Sequence, residues 1–141
     1  MSLKIDNFQN YNVELKVETI LNPSEDPDKV KKCLINVANG CQPVIKKEFV
    51  TAVCEGILSL HNIRVGVRSK SSFAVLRRVL DENRKDDRTW FFLNKQAAYC
   101  DVISIIEHDE ESTLGPIRVT ITSNDLDKII EWLIPSRIRS R

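Results

Sequence analysis

From Ile117 to Thr122 the chain alternates strictly: Ile117, Val119 and Ile121 are apolar, while Arg118, Thr120 and Thr122 are polar. A period of two places all the apolar side chains on one side of an extended backbone, so the segment is satisfied as a strand with one dry and one wet face. The same rhythm runs through Val13, Leu15, Val17 and Thr19, set against Glu14, Lys16 and Glu18. Strands wet on one side belong to antiparallel sheets covered on a single face, because parallel sheets are buried on both. Everything else in the chain has to be arranged around that constraint.

The intervening segments supply the cover. Asp26 is placed to cap a helix and Pro27 suits its first position, where no amide hydrogen is needed. Val30, Cys33, Leu34, Val37 and Ala38 follow at helical spacing, and Gly40 marks the end. Ser59 to Arg68 predicts a short helix with Leu60, Ile63 and Val67 inward, although Gly66 weakens it. Ser71 or Ser72 begins a stronger one, burying Phe73, Leu76, Val79 and Leu80. Asn124 or Asp125 caps a last helix, with Leu126, Ile129, Ile130 and Leu133 on one stripe and Pro135 as its stop. Phe49 to Ile57 is apolar on both faces and predicts a central strand. Trp90 to Leu93 and Val102 to Ile106 predict two more, separated by the polar interruption at Asn94 to Ala98. The order β-α-β-α-α-β-β-β-α lacks the regular alternation of a doubly wound sheet. It predicts an α+β fold, a mostly antiparallel sheet with helices packed on one face.

The chain is expected to form a single domain over residues 1–141, with an ordered core at about 11–135 and a short basic tail at 136–141. Its 42% hydrophobic and 29% charged content is that of an ordinary globular protein. Neither an apolar signal core nor a membrane-length run occurs, which predicts a cytoplasmic protein without membrane attachment. Cys33, Cys41, Cys54 and Cys100 lack the close spacing of a zinc site and are expected to be reduced, with Cys33 and Cys54 packed as small hydrophobes. No metal and no cofactor is expected.

The residue types that carry catalysis do not assemble into a pattern. His61 has no nucleophile tied to it and is expected to be a partly buried structural histidine. The run Glu107 to Glu111 has oxygen ligands but not the spaced ligands or turn glycine of a calcium loop, and predicts a solvated turn between strands. Asp81, Glu82, Asp86 and Asp87 are interleaved with Arg84, Lys85 and Arg88, as on a mutually neutralised surface. No phosphate-cradling glycine motif occurs. Among the function classes, an enzyme is therefore the least supported.

Net charge is +1, from 21 basic and 20 acidic residues, so any nucleic-acid binding has to come from local clustering. Arg64, Arg68, Lys70, Arg77 and Arg78 lie within a stretch of 15 residues that contains no acid. Asn94, Lys95 and Gln96 crowd the strand interruption, where a bulge would re-aim side chains. Together these eight residues are the candidate RNA contacts, the cations for phosphates and Asn94 and Gln96 for bases.

Four segments carry a family resemblance: Asn22 to Val30 (NPSEDPDKV), Leu93 to Ala98 (LNKQAA), Leu114 to Ile117 (LGPI) and Glu131 to Pro135 (EWLIP). In this order they resemble a family of small archaeal proteins described as uncharacterised, as predicted RNA-binding proteins or as predicted exosome subunits. The resemblance runs from about Val13 to Pro135. It implies a fold similar to the ribosomal protein that docks on the small RNA of the large subunit. It also implies an accessory role in RNA processing or degradation. Two departures stand out: Tyr99, Cys100 and Asp101 follow the double alanine where the family has a glycine, and Ser69 to Ser72 replaces a more basic and apolar stretch. The expected partner is RNA, with a homodimer or a protein complex of RNA processing as further partners. The competing expectation is a protein-interaction or self-associating module with no nucleic-acid role.

Overall fold

The structure is a computed structural model and describes residues 11–70, 72–107 and 114–135, Ser69 and Lys70 by their backbone alone. The strands are β1 (Glu14–Ile20), β2 (Val44–Lys46), β3 (Phe49–Glu55), β4 (Arg88–Leu93), β5 (Ile105–Ile106) and β6 (Ile117–Thr122). They form one six-stranded sheet in the order β2-β3-β1-β6-β4-β5, and every neighbouring pair is antiparallel. The helices are α1 (Pro27–Val37), α2 (His61–Lys70), α3 (Phe73–Asn83), α4 (Lys95–Tyr99) and α5 (Leu126–Leu133), with a 3-10 turn at Ile57–Leu60 leading into α2.

The sheet is one-sided, as its alternation requires. Leu15 and Val17, Val50 and Ala52, Phe91 and Leu93, and Ile117, Val119 and Ile121 point to the same face and are buried. They meet the apolar stripes of α1 (Val30, Cys33, Leu34, Val37), α3 (Leu76, Val79, Leu80) and α5 (Leu126, Ile129, Ile130, Leu133) in one continuous core. Each large side chain removed from water there contributes about 1.5–3 kcal/mol before entropy is counted. Two threonines share this dry face without loss. The Thr89 hydroxyl donates to Leu80 O at 2.7 Å and the Thr19 hydroxyl to Pro116 O at 2.9 Å. Buried donors that keep a partner avoid the desolvation penalty.

The predicted punctuation of α1 is present: Asp26 accepts from the Asp28 amide at 3.0 Å and Pro27 opens the helix. Several local expectations are corrected. The interruption at Asn94 to Ala98 is a helical turn, α4, and Val102 to Ile106 pairs only over Ile105–Ile106. Val44–Lys46 adds an edge strand joined to β3 by a tight turn at Lys47, which has a φ of 57°. Three residues are too few to show a period, so this strand left no mark in the sequence. β3 has a neighbour on each side, yet its outer face is open: Phe49 and Val53 are 48% and 52% exposed. His61 is exposed at the start of α2 rather than partly buried. Cys41 and Cys54 are joined in a disulfide with their Cα atoms 5.4 Å apart, contrary to the expectation of four thiols. Cys33 and Cys100 are free, and burial pushes the Cys33 thiol above its ordinary pKa. The acidic run is described only at Glu107. The rest of it, residues 108–113, and the basic tail lie outside the described residues.

Gly66 is a poor helix former in the middle of α2, and packing explains it. A Cβ built at this position would lie 2.3 Å from Ile103 Cγ1 and 2.6 Å from Ile103 Cβ. Ile103 is buried on the link between α4 and β5, and the clash reaches its Cβ as well as the end of its side chain, so a rotamer change alone does not relieve it. Gly66→Ala is therefore expected to lower stability by roughly 1–3 kcal/mol despite alanine's better helix propensity. Urea unfolding would show the midpoint moving down. A midpoint that rises would mean the α2–Ile103 contact is loose.

Candidate nucleic-acid interface

Most arginines of the acid-free stretch are committed to intramolecular work. Arg64 lies 4.5 Å from the centre of the Trp132 ring, and its Nε donates to Trp132 O at 3.1 Å. Burial, with Arg68 nearby, lowers the Arg64 pKa. Arg77 donates to Ile134 O at 3.2 Å and pairs with Glu131 at 3.7 Å. Two guanidinium groups thus receive the last carbonyls of α5, where a helix end favours cations. Arg78 pairs with Glu107 at 3.0 Å and Glu82 at 3.8 Å, and the Glu107 bond raises its pKa. Arg68 is exposed, and the side chain of Lys70 lies outside the described residues.

The polar segment after β4 is likewise absorbed by folding. Asn94 is the N-cap of α4, its side-chain oxygen accepting from the Ala97 amide at 2.8 Å. Lys95 is only 2% exposed. Its ammonium donates to Ile20 O at 2.8 Å, to Leu114 O at 2.9 Å and to the Glu25 carboxylate at 3.1 Å. Asn22 completes the cluster, giving its backbone and side-chain N–H groups to Glu25 and a further bond to Leu114 O. Burial raises the Glu25 pKa, but the bonds from Asn22 and then Lys95 outweigh it and hold the carboxyl below its ordinary value. Gln96 is exposed on the rim of a cleft of about 460 Å³ between α1 and α4, together with Tyr99 and Cys100.

The outer face of the sheet presents a different assembly. Register sets its side chains in three rows across the strands. One row runs Val53, Lys16, Thr120, Trp90; the next runs Thr51, Glu18, Arg118, Phe92; the third runs Glu55, Glu14, Thr122, Arg88. Trp90 and Phe92 stand two residues apart on β4, partly buried, with ring centres 5.2 Å apart and planes tilted by 58°. Arg118 reaches diagonally from β6 and lies 4.5 Å over the Trp90 ring. Arg88 and Lys16 extend the positive side of this group, while Glu18 pairs with Lys16 at 3.7 Å. Flat rings beside an unburied guanidinium are the materials of a nucleobase-stacking surface. Sequence reasoning overlooked this group because Trp90 to Leu93 is apolar throughout, which conceals that alternate members face outward. The available signal was the alternation itself, carried from Arg88 through Trp90 to Phe92.

A one-sided antiparallel sheet, backed by helices and bearing aromatic and cationic side chains on its open face, defines the class of protein: an α+β domain with one face of its sheet left open. A family model described as RNA binding matches residues 14–123, and the chain belongs to that family. It is 31% identical over 122 residues to a UPF0201 protein of Methanothermobacter thermautotrophicus, covering 86% of this chain and 91% of the relative. A UPF0201 protein of Metallosphaera sedula is 32% identical over 124 residues, covering 86% and 87%. Both relatives are archaeal. The crystal structure of a UPF0201 protein from Methanococcus jannaschii superposes with a TM-score of 0.72 at 28% identity, covering 86% of this chain and 92% of that one.

The Lys95 cluster makes a direct prediction. Lys95→Met takes the counter-charge from the half-buried Glu25 carboxylate and a donor from each of Ile20 O and Leu114 O, and is expected to cost about 3–5 kcal/mol at neutral pH. A carboxyl with a depressed pKa contributes stability above its unfolded pKa and loses it as pH falls through the lower, folded value. The deficit of the variant should therefore narrow on acidification, as Glu25 is protonated and needs no partner. Urea unfolding from neutral pH to below the carboxylate range checks this. A deficit that does not change with pH would separate Lys95 from Glu25.

Proposed function

We propose that this protein is a non-catalytic RNA-binding accessory protein and that the open sheet face is its contact surface. The observation that carries the reading is the Trp90–Phe92–Arg118 group. The two ring centres are 5.2 Å apart, close enough for successive unstacked bases to be taken up by neighbouring rings. Membership of a family described as RNA binding supports the same partner. The open face carries few cations, Lys16, Arg88 and Arg118 around the aromatic pair, so stacking supplies more of the affinity than phosphate neutralisation. The link to RNA-processing machinery rests on the family resemblance.

The measurement is fluorescence anisotropy with labelled single-stranded RNA over a range of salt. Three phosphate contacts correspond to a log–log salt slope of about −2. Trp90→Ala and Arg118→Ala should each weaken binding, by about 1–3 kcal/mol for the lost stacking partner. The double variant Arg77→Ala, Arg78→Ala should bind like the parent, since those guanidinium groups are held by Glu131, Glu107, Glu82 and Ile134 O. The opposite pattern, with the helix variant dead and the sheet variants intact, would move the site to the helical side.

A second reading has its own observation. Val44, Phe49 and Val53 are exposed on the same face, beside β2, which among the described residues is an edge strand with no neighbour on its outer side. We propose self-association there as the alternative. Sedimentation of the parent and of Val53→Glu decides it: a dimer that persists at high salt and is lost in the variant supports the alternative, and a monomer at all concentrations removes it.

A further inference from the structure

At the start of β4 the open face deepens into a cleft of about 470 Å³ lined by Asn83, Asp86, Asp87, Arg88, Trp90 and Arg118, with Lys85 on its rim. We infer that this cleft is a base-recognition subsite for guanine. The inference rests on the sheet face being the RNA platform, and it adds a specificity which that reading does not contain.

Asp86 and Asp87 enter the lining from a two-residue turn. Lys85 and Arg88 pair across it, the Lys85 amide donating to Arg88 O at 2.8 Å and the Arg88 amide to Lys85 O at 3.1 Å. Asp86 sits at its tip with a φ of 58°, a left-handed conformation that aspartate and asparagine tolerate. The main chain of the turn is tied down: Asp87 O accepts from the Ser123 amide at 2.9 Å, and Asp86 O from Arg84 Nε at 3.3 Å. The two carboxylates are not used in this. Neither takes part in a hydrogen bond or ion pair among the described residues, whereas nearby Asp127 is paired with Arg84. Asn83 is fixed by donating its amide to Trp90 O at 2.8 Å, which leaves its side-chain oxygen as an acceptor.

The polar groups are therefore sorted: acceptors on the turn and on Asn83, cations on Arg88 and Lys85, and a flat wall in the Trp90–Arg118 stack. A base that fits must show adjacent N–H donors on one edge and acceptors on another. Guanine does so, with N1–H and N2–H₂ side by side to bridge a carboxylate, and O6 and N7 to receive a cation. Adenine and cytosine each bring a single amino group to a carboxylate, and uracil a single N–H. The same base could arrive within single-stranded RNA or as a free nucleotide, and the pocket chemistry is shared.

Two labelled RNA octamers test this, one of uridines only and one with its two central positions changed to guanosine, with GMP and AMP as competitors. The parent is expected to bind the guanosine octamer roughly tenfold tighter or more, the range of one good bidentate contact. GMP should displace it well before AMP. The double variant Asp86→Asn, Asp87→Asn keeps the turn conformation and should lose the preference while binding the uridine octamer as well as the parent or better. Asp87→Asn alone avoids the turn tip and gives the same reading should the double variant be unstable. Equal affinity of the parent for both octamers overturns the guanine subsite and leaves the platform standing. Binding of GMP without binding of either octamer keeps the subsite and removes the RNA platform. No binding of any of these overturns both.

Discussion

The ammonium of Lys95 is enclosed by the last carbonyl of β1, the carbonyl of Leu114 ahead of β6 and the carboxylate of Glu25 at the approach to α1. β1 and β6 are the two central strands, so this one group fixes how the helix layer meets the middle of the sheet. A buried ammonium is tolerable only because each of its three protons has an oxygen, and Glu25 in turn is saturated by Asn22. Gly115, at a φ of 92°, lets the chain turn directly after Leu114, where a side chain would meet Ile20 at 2.8 Å. The close approach of that loop to β1 brings the Leu114 carbonyl within reach of Lys95.

This cluster also gives the family signature a physical meaning. Three of the four segments that carry the resemblance, around Asn22–Glu25, Asn94–Lys95 and Leu114–Gly115, are the three sides of the Lys95 clamp. The fourth, Glu131 to Pro135, is the helix end received by Arg64 and Arg77. Sequence motifs dense in Asn, Lys and Glu invite a functional reading, and here their side chains are spent on closing the fold. The surface we propose for binding is one that the motifs do not name.

That division explains what was legible in the chain. The core was, because burial on one face imposes a period that survives in Ile117–Thr122 and in the stripes of α1, α3 and α5. Capping was legible at Asp26 and Pro27, where the local chemistry is self-contained. β2 and α4 were not, since three to five residues hold less than two periods and their conformation is set by partners distant in sequence. The pairing of Cys41 with Cys54 depends on the β2–β3 hairpin bringing the chain back, which no spacing rule encodes. The arginines of α2 and α3 looked free because their partners, Glu107, Glu131 and Ile134 O, stand tens of residues away. Trp90 and Phe92 looked buried because Phe91 and Leu93, their neighbours, are.

A net charge of +1 bears on which of these surfaces is suited to RNA. Binding driven by phosphate neutralisation needs an excess of cations that release counterions, and on the helical side Arg77 and Arg78 are already paired with Glu131, Glu107 and Glu82. Stacking needs no such excess. It depends on rings held in place by the sheet, and Trp90 and Phe92 lose little conformational freedom because β4 pairs with β6 from Arg88 to Leu93 and with β5 at Phe92 and Leu93. Arg118 adds a cation whose geometry is fixed in advance by the ring beneath it, so little entropy is lost when a base lies against it. The carboxylates at Asp86 and Asp87 would repel a phosphate and accept from a base edge. A platform of the kind proposed would favour bases displayed by single strands over the regular backbone of a duplex, with an affinity that depends on which bases are displayed.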